Sequence, residues 1–189
     1  NLYRLLEYYG MTDFIYPTWF ESSYVPYDGD DACVVTKGIE IDAKEWCTFE
    51  LKRQHHWRKI RSFEVQLGEI HRLQIGLQII LHGQANDFNY SQSTGVGDLP
   101  QSYGLDPVRS CVIQAGKRFD ISGLDVKQGA IIKIELEGNW FIDGKLVASK
   151  DGRDGSATMG MPNVTSYDQV LPVVSINGRA KLVNIDYSD

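Results

Sequence analysis

From Ala32 onward the chain is a succession of short segments rich in β-branched and aromatic residues, each closed by turn chemistry. "CVVT", "IEIDA", "WCTFELKR", "RSFEVQL", "HRLQIGLQIIL", "CVIQ", "AIIKIELEG", "NWFIDGKLV", "VLPVVSI" and "AKLVNIDY" all read as strands. No sustained helical-period pattern interrupts them, so a parallel α/β fold is disfavoured. Many short strands at regular spacing predict an all-β, antiparallel two-sheet sandwich. "LGE" at residues 67–69, "DG" at Asp143–Gly144 and "NG" at Asn177–Gly178 separate strands and are expected to be turns. The last two suit tight hairpins, which need positive φ.

Upstream of the strands, Leu2, Leu5, Leu6 and Tyr9 fall at i, i+3, i+4 and i+7, one face of a short helix that Gly10 would stop. An irregular aromatic stretch follows, punctuated by Pro17, Pro26 and "DGDD". Residues 1–30 are therefore expected to be a helix and an extension that packs on the domain, with Trp19 and Phe20 covering a sheet edge. Residues 31–189 form the sandwich. At 189 residues the chain can bury a core without metal or disulfide support. No apolar run is long enough to span a bilayer. The chain starts with Asn, not Met, and shows no signal peptide, so it is read as one module of a larger intracellular (cytoplasmic) polypeptide.

The three cysteines, Cys33, Cys47 and Cys111, are scattered and form no C-x-x-C pair. Neither a disulfide scaffold nor a zinc site is expected, and the count fits a reducing compartment. Two sequons, "NYS" at Asn89 and "NVT" at Asn163, matter only in a secreted protein. The net charge of −6 argues against a nucleic-acid partner. One basic stretch stands out, "KRQHHWRKIR" at residues 52–61, with five cations and no acid. It reads as a solvated hairpin end or as a contact patch for an acidic partner.

The most enzyme-like motif is "EIDAKE" at residues 40–45, whose E-x-D-x-x-E spacing is that of laminarinase-type glycoside hydrolases. On a strand Glu40 and Asp42 share a face, and a bulge would bring Glu45 round to them. Such carboxylates suit a retaining mechanism. Against this, the pattern is short, its residues are common, and the aromatic surroundings of a glycan cleft are missing nearby. His55 and His56 are adjacent and point apart on a strand, while His71 and His82 stand alone, so no metal site is expected. "GVGDLPQSYG" lacks the G-K-[ST] of a phosphate loop, and there is no G-x-S-x-G elbow. The chain is read as non-catalytic and without a cofactor.

The order of the strand motifs carries a resemblance. "RSFEVQL" resembles the SPRY signature "YFEV", and "HRLQIGL" resembles the "lriGw" strand that follows it. "GVGDLPQSYGLD" is similar to "GvGDd…SyGydG", "GLDVKQGAIIKIELE" to "f.kGDvIgcllDl", "GNWFIDGKLV" to "tisFtlNGk.lG", and "VLPVVSINGRAKLVNIDYS" to the closing "lyPavSl….vrfNfG". The blocks run in order from Phe63 to Tyr187. "EWCTFELKR" also resembles the first signature, but only Phe63 lies at the right distance from Gly76 for the family's hairpin. On that reading "IEIDAKE" is a connection or an edge strand. The chain departs from the family at Ala130, Lys133 and Leu77, where an Asp, a Gly and a large aromatic are usual.

The resemblance implies a bent, concanavalin-like sandwich whose rim loops grip a protein or peptide partner. Carried over residue by residue, the binding positions are Tyr90, Asn177 and Gly178, with Trp57 and Tyr103 as additions to the contact face. Asn177 stands where the best-known peptide binders carry Trp, so a different peptide is expected. The alternative is a carbohydrate-binding or glycan-cleaving sandwich. A third reading makes the aromatic N-terminal segment a docking strip within the parent chain.

Overall fold

Three long strands organise the molecule. In the computed structural model the described residues are 18–21, 33–36, 39–52, 59–84, 90–164 and 168–187. They form β1 (Thr18–Glu21), β2 (Cys33–Thr36), β3 (Glu40–Lys52), β4 (Ile60–Ile80), β5 (Ser102–Asp106) and β6 (Cys111–Gln114). They continue as β7 (Lys117–Asp120), β8 (Ile131–Glu135), β9 (Asn139–Ile142), β10 (Lys145–Ser149), β11 (Ala157–Thr158) and β12 (Gln169–Tyr187). The expected N-terminal helix lies outside the described residues. Within the expected extension, Thr18–Glu21 adds an antiparallel strand to the end of β3.

β3, β4 and β12 each run through both layers of a bent sandwich. One layer is ordered β1-β3-β12-β4-β5-β6-β7, and the other β2-β3-β12-β4-β8-β9-β10-β11. β4 makes the division clear: Ser62 to Gln66 pair with β8, whereas Ile75 to Gln78 pair with β5. All pairings are antiparallel except β10 with β11.

Strand alternation puts every second side chain inward. In β4 these are Phe63, Val65 and Leu67 before the bend and Leu73, Ile75 and Leu77 after it, all buried. With Ile41, Phe49, Ile132 and Trp140 they belong to one continuous core. The inward parity is kept across the bend in all three long strands. Exposed Glu45 interrupts it in β3, and exposed Glu69 and His71 interrupt it in β4.

Those interruptions explain where the structure departs from the sequence expectation. "LGE" is no turn, because β4 continues through it as one 21-residue strand. Phe63 and Gly76 therefore lie on a single bent strand and not on the two arms of a hairpin. "NG" is no hairpin either. Asn177 and Gly178 sit in the middle of β12 at a double register shift. "IEIDA" and "WCTFELKR" merge into β3, whose first half pairs with β2 on one side and β12 on the other. It is neither a connection nor a sheet edge. "DG" does turn, with positive φ at Asp143 and Gly144 between β9 and β10.

The scattered cysteines predict no disulfide, yet Cys47 is disulfide-bonded, while Cys111 is a buried free thiol. Among the described residues no helix is long and apolar enough to cross a membrane.

Candidate functional site

At the bend the three long strands lose register together. Between Cys47↔Ile176 and Ala43↔Gly178, residues 44–46 of β3 face Asn177 alone. On the other side, His71 intervenes between Asn177↔Arg72 and Gly178↔Ile70, and residues 68–69 oppose Arg179. Residues expelled from a ladder aim their side chains outward. Lys44, Glu69 and His71, together with the laddered Asp42, Asn177 and Arg179, line a shallow groove of about 360 Å³, floored by Ala43 and Gly178.

Gly178 makes this geometry possible. Its φ is 144°, and a β-carbon there would collide with the backbone of Glu69 and Ile70. Only glycine lets β12 cross β4 so closely. The groove carries both signs of charge. Glu69 lies 3.7 Å from Arg179 Nη2 and 3.9 Å from His71 Nε2. These side chains are about 60% exposed, so the pairs are easily exchanged for contacts with a partner. Beside the groove, the Arg72 guanidinium stacks 4.4 Å over the Trp46 ring. Trp46 is itself fixed, because its Nε1 donates to the Thr94 carbonyl at 2.9 Å.

That bond belongs to a second feature, residues 90–101, which lie against the outer face of β4 and β12. Gln74 Nε2 donates to the Val96 carbonyl at 3.2 Å, and Gln78 Nε2 donates to the Pro100 carbonyl at 3.0 Å. The Tyr90 hydroxyl donates to Gln78 Oε1 at 2.6 Å. The Val96 N–H donates to Ser175 Oγ at 3.0 Å, and that hydroxyl lies 2.8 Å from Thr48 Oγ1. Tyr90, Val96 and Val173 form a small apolar cluster beneath the loop. Within the loop, the Asp98 carboxylate accepts from the Gly95 N–H at 2.7 Å and closes its turn. Buried polar side chains need such partners; Gln74 and Ser175 find theirs on the Val96 backbone, and Gln78 on the Pro100 carbonyl and the Tyr90 hydroxyl.

The structure brings Asn177 and Gly178 together in the groove. Tyr90 and Tyr103 lie elsewhere and are only 2% and 6% exposed. Tyr90 anchors the loop, and Tyr103 packs in the core from β5. Burial pushes both phenols above their ordinary value, with nearby Glu50 adding to the effect at Tyr90. Trp57 and most of the basic stretch at 52–61 lie outside the described residues. Five groove residues were not singled out for the site in the sequence: Asp42, Lys44, Glu69, His71 and Arg179. The available signal was the polar break in otherwise regular alternation, at Glu45 and at Glu69 with His71.

The carboxylates of "EIDAKE" are placed as ordinary surface groups. Glu40 lies 3.7 Å from Lys181 Nζ, and Asp42 is in register with Arg179. Both side chains point to the outer face of the strand, away from the core.

This bent two-layer architecture is the fold of SPRY domains. The SPRY domain of human HERC1 matches with a TM-score of 0.51 at 10% identity, covering 81% of this chain and 92% of that one. A second human SPRY domain matches with a TM-score of 0.52 at 16% identity, covering 80% and 94%. The carbohydrate-binding module CBM66 from Bacillus subtilis gives a TM-score of 0.45 at 10% identity, covering 91% and 96%. No protein-family model and no curated protein sequence matches the chain. At such identities the likeness is one of fold.

Proposed function

We propose that the chain is a non-catalytic interaction module that holds a protein or peptide partner in the groove at the sheet bend. The observation that carries this reading is the convergence of unpaired and half-paired strand residues at one place. Lys44, Glu69 and His71 fall outside the ladders, while Asn177 has no register partner of its own on β3 and Arg179 none on β4, and all five line one groove. A rigid sandwich that displays a few adaptable polar groups suits recognition, because little ordering is needed on binding. The mixed charges favour an extended peptide that carries both signs, with Asn177 supplying amide donors and an acceptor. Fold alone does not name a function; the groove is what supports this one.

The test is selection of a displayed peptide library against the chain, followed by titration of the recovered peptides. Binding should weaken at least tenfold in Arg179→Glu and in Asn177→Ala, with the melting temperature unchanged. Equal affinity in both variants would remove the groove from the proposal. Selective binding on a glycan array, with no peptide recovered, would replace the peptide reading by a carbohydrate one.

A further inference from the structure

Asn163 begins the triplet Asn-Val-Thr at residues 163–165 and lies exposed in the connection between β11 and β12, outside any strand. Lys150 Nζ donates to its side-chain oxygen at 2.7 Å, which engages the oxygen of the amide and not its nitrogen. Separately, Cys47 is disulfide-bonded. Reducing compartments rarely sustain that state, whereas the secretory route does. An exposed acceptor asparagine gains meaning in the compartment where disulfides form.

We propose that Asn163 is an N-glycosylation acceptor and that the chain matures in an oxidising compartment. The donor is a lipid-linked oligosaccharide pyrophosphate. The Asn163 amide nitrogen attacks the sugar C1, an N–C bond forms, and the C–O bond to the pyrophosphate breaks. The lipid pyrophosphate leaves with the electron pair, and the amide proton passes to a base of the transferase. No oxidant or reductant is consumed.

The position has a use. Lys150 directly follows β10, which pairs with β11, the last strand of its layer. Sheet edges invite pairing with other chains, and a bulky polar group beside one blocks that. The groove lies on β3, β12 and β4, with β8 and β9 between β4 and β10, so a glycan at Asn163 leaves it open.

The experiment purifies the epitope-tagged full-length protein from the cells that make it, then treats it with peptide N-glycosidase. We expect a downward gel shift, with residue 163 converted to Asp in the peptide mass spectrum. Asn163→Gln and Thr165→Ala should each lose that shift, the second without altering the acceptor. An unmodified Asn163 peptide, or a glycan found only at Asn89, overturns the site. Cys47 that reacts with a thiol alkylator in intact cells overturns the compartment.

Discussion

Gly76 faces Gly104 in the β4–β5 ladder, and a β-carbon on either residue would strike backbone. At Gly76 it would meet the Tyr103 carbonyl, and at Gly104 the Val96 carbonyl. The second contact ties sheet to loop, since Val96 also accepts from Gln74. Gly104→Ala should therefore lower stability by about 1–3 kcal/mol through overpacking. The midpoint of urea unfolding reads the loss. Limited proteolysis should cut the 90–101 loop faster, because the substitution lifts its anchor point.

Tyr90 gives a signature at alkaline pH. Burial raises its folded pKa above the ordinary 10.0 found in the unfolded chain. The folded state thus holds a proton that the unfolded state gives up. Its contribution to stability is fully present below pH 10.0 and is lost as pH rises from there towards the folded value. Tyr90→Phe removes this titration. Its stability should fall less steeply than the wild type's above pH 10.0, as thermal melts in a pH series will show.

Gln78 spans sheet and loop, accepting from Tyr90 and donating to Pro100. Gln78→Leu leaves both partners buried without it, at a cost of about 1–3 kcal/mol. Because Tyr90 and Gln78 act on each other, Tyr90→Phe with Gln78→Leu should cost less than the sum of the two singles. A double-mutant cycle measures the difference.

The groove should behave in the opposite way. Arg179 and Glu69 are exposed, and exposed pairs contribute little to folding. Arg179→Glu should change stability by no more than about 0.5 kcal/mol. The same substitution places two acids side by side and should weaken a selected peptide at least tenfold. Isothermal titration beside a thermal melt separates the two effects.

Much of the architecture was legible in the sequence because a strand exposes its two faces alternately. The core residues Phe63, Val65, Ile75, Ile132 and Ile134 follow directly from that period. The bends were not legible. A polar residue at an inward position looks the same whether the chain reverses there or bulges, and "LGE" with Glu69 was read as a turn. Asn-Gly at 177–178 is turn chemistry, yet the positive φ of Gly178 serves a crossing of two long strands. Gln74 and Gln78 sit in an otherwise apolar strand because loop carbonyls accept from them, a partnership that no local window of sequence shows. The groove depends on residues brought together from three strands, so no local window of sequence contains it.

The three strands shared by both layers have a mechanical consequence. In a sandwich joined only by loops, one layer can fray while the other holds. Here β3, β4 and β12 carry each layer's hydrogen bonds into the other, so opening either layer pulls directly on the second. The molecule should yield as one piece under load, and its slowest-exchanging amides should lie on both sides of the bend. A partner seated at that bend would rest where the two layers are least able to slip apart.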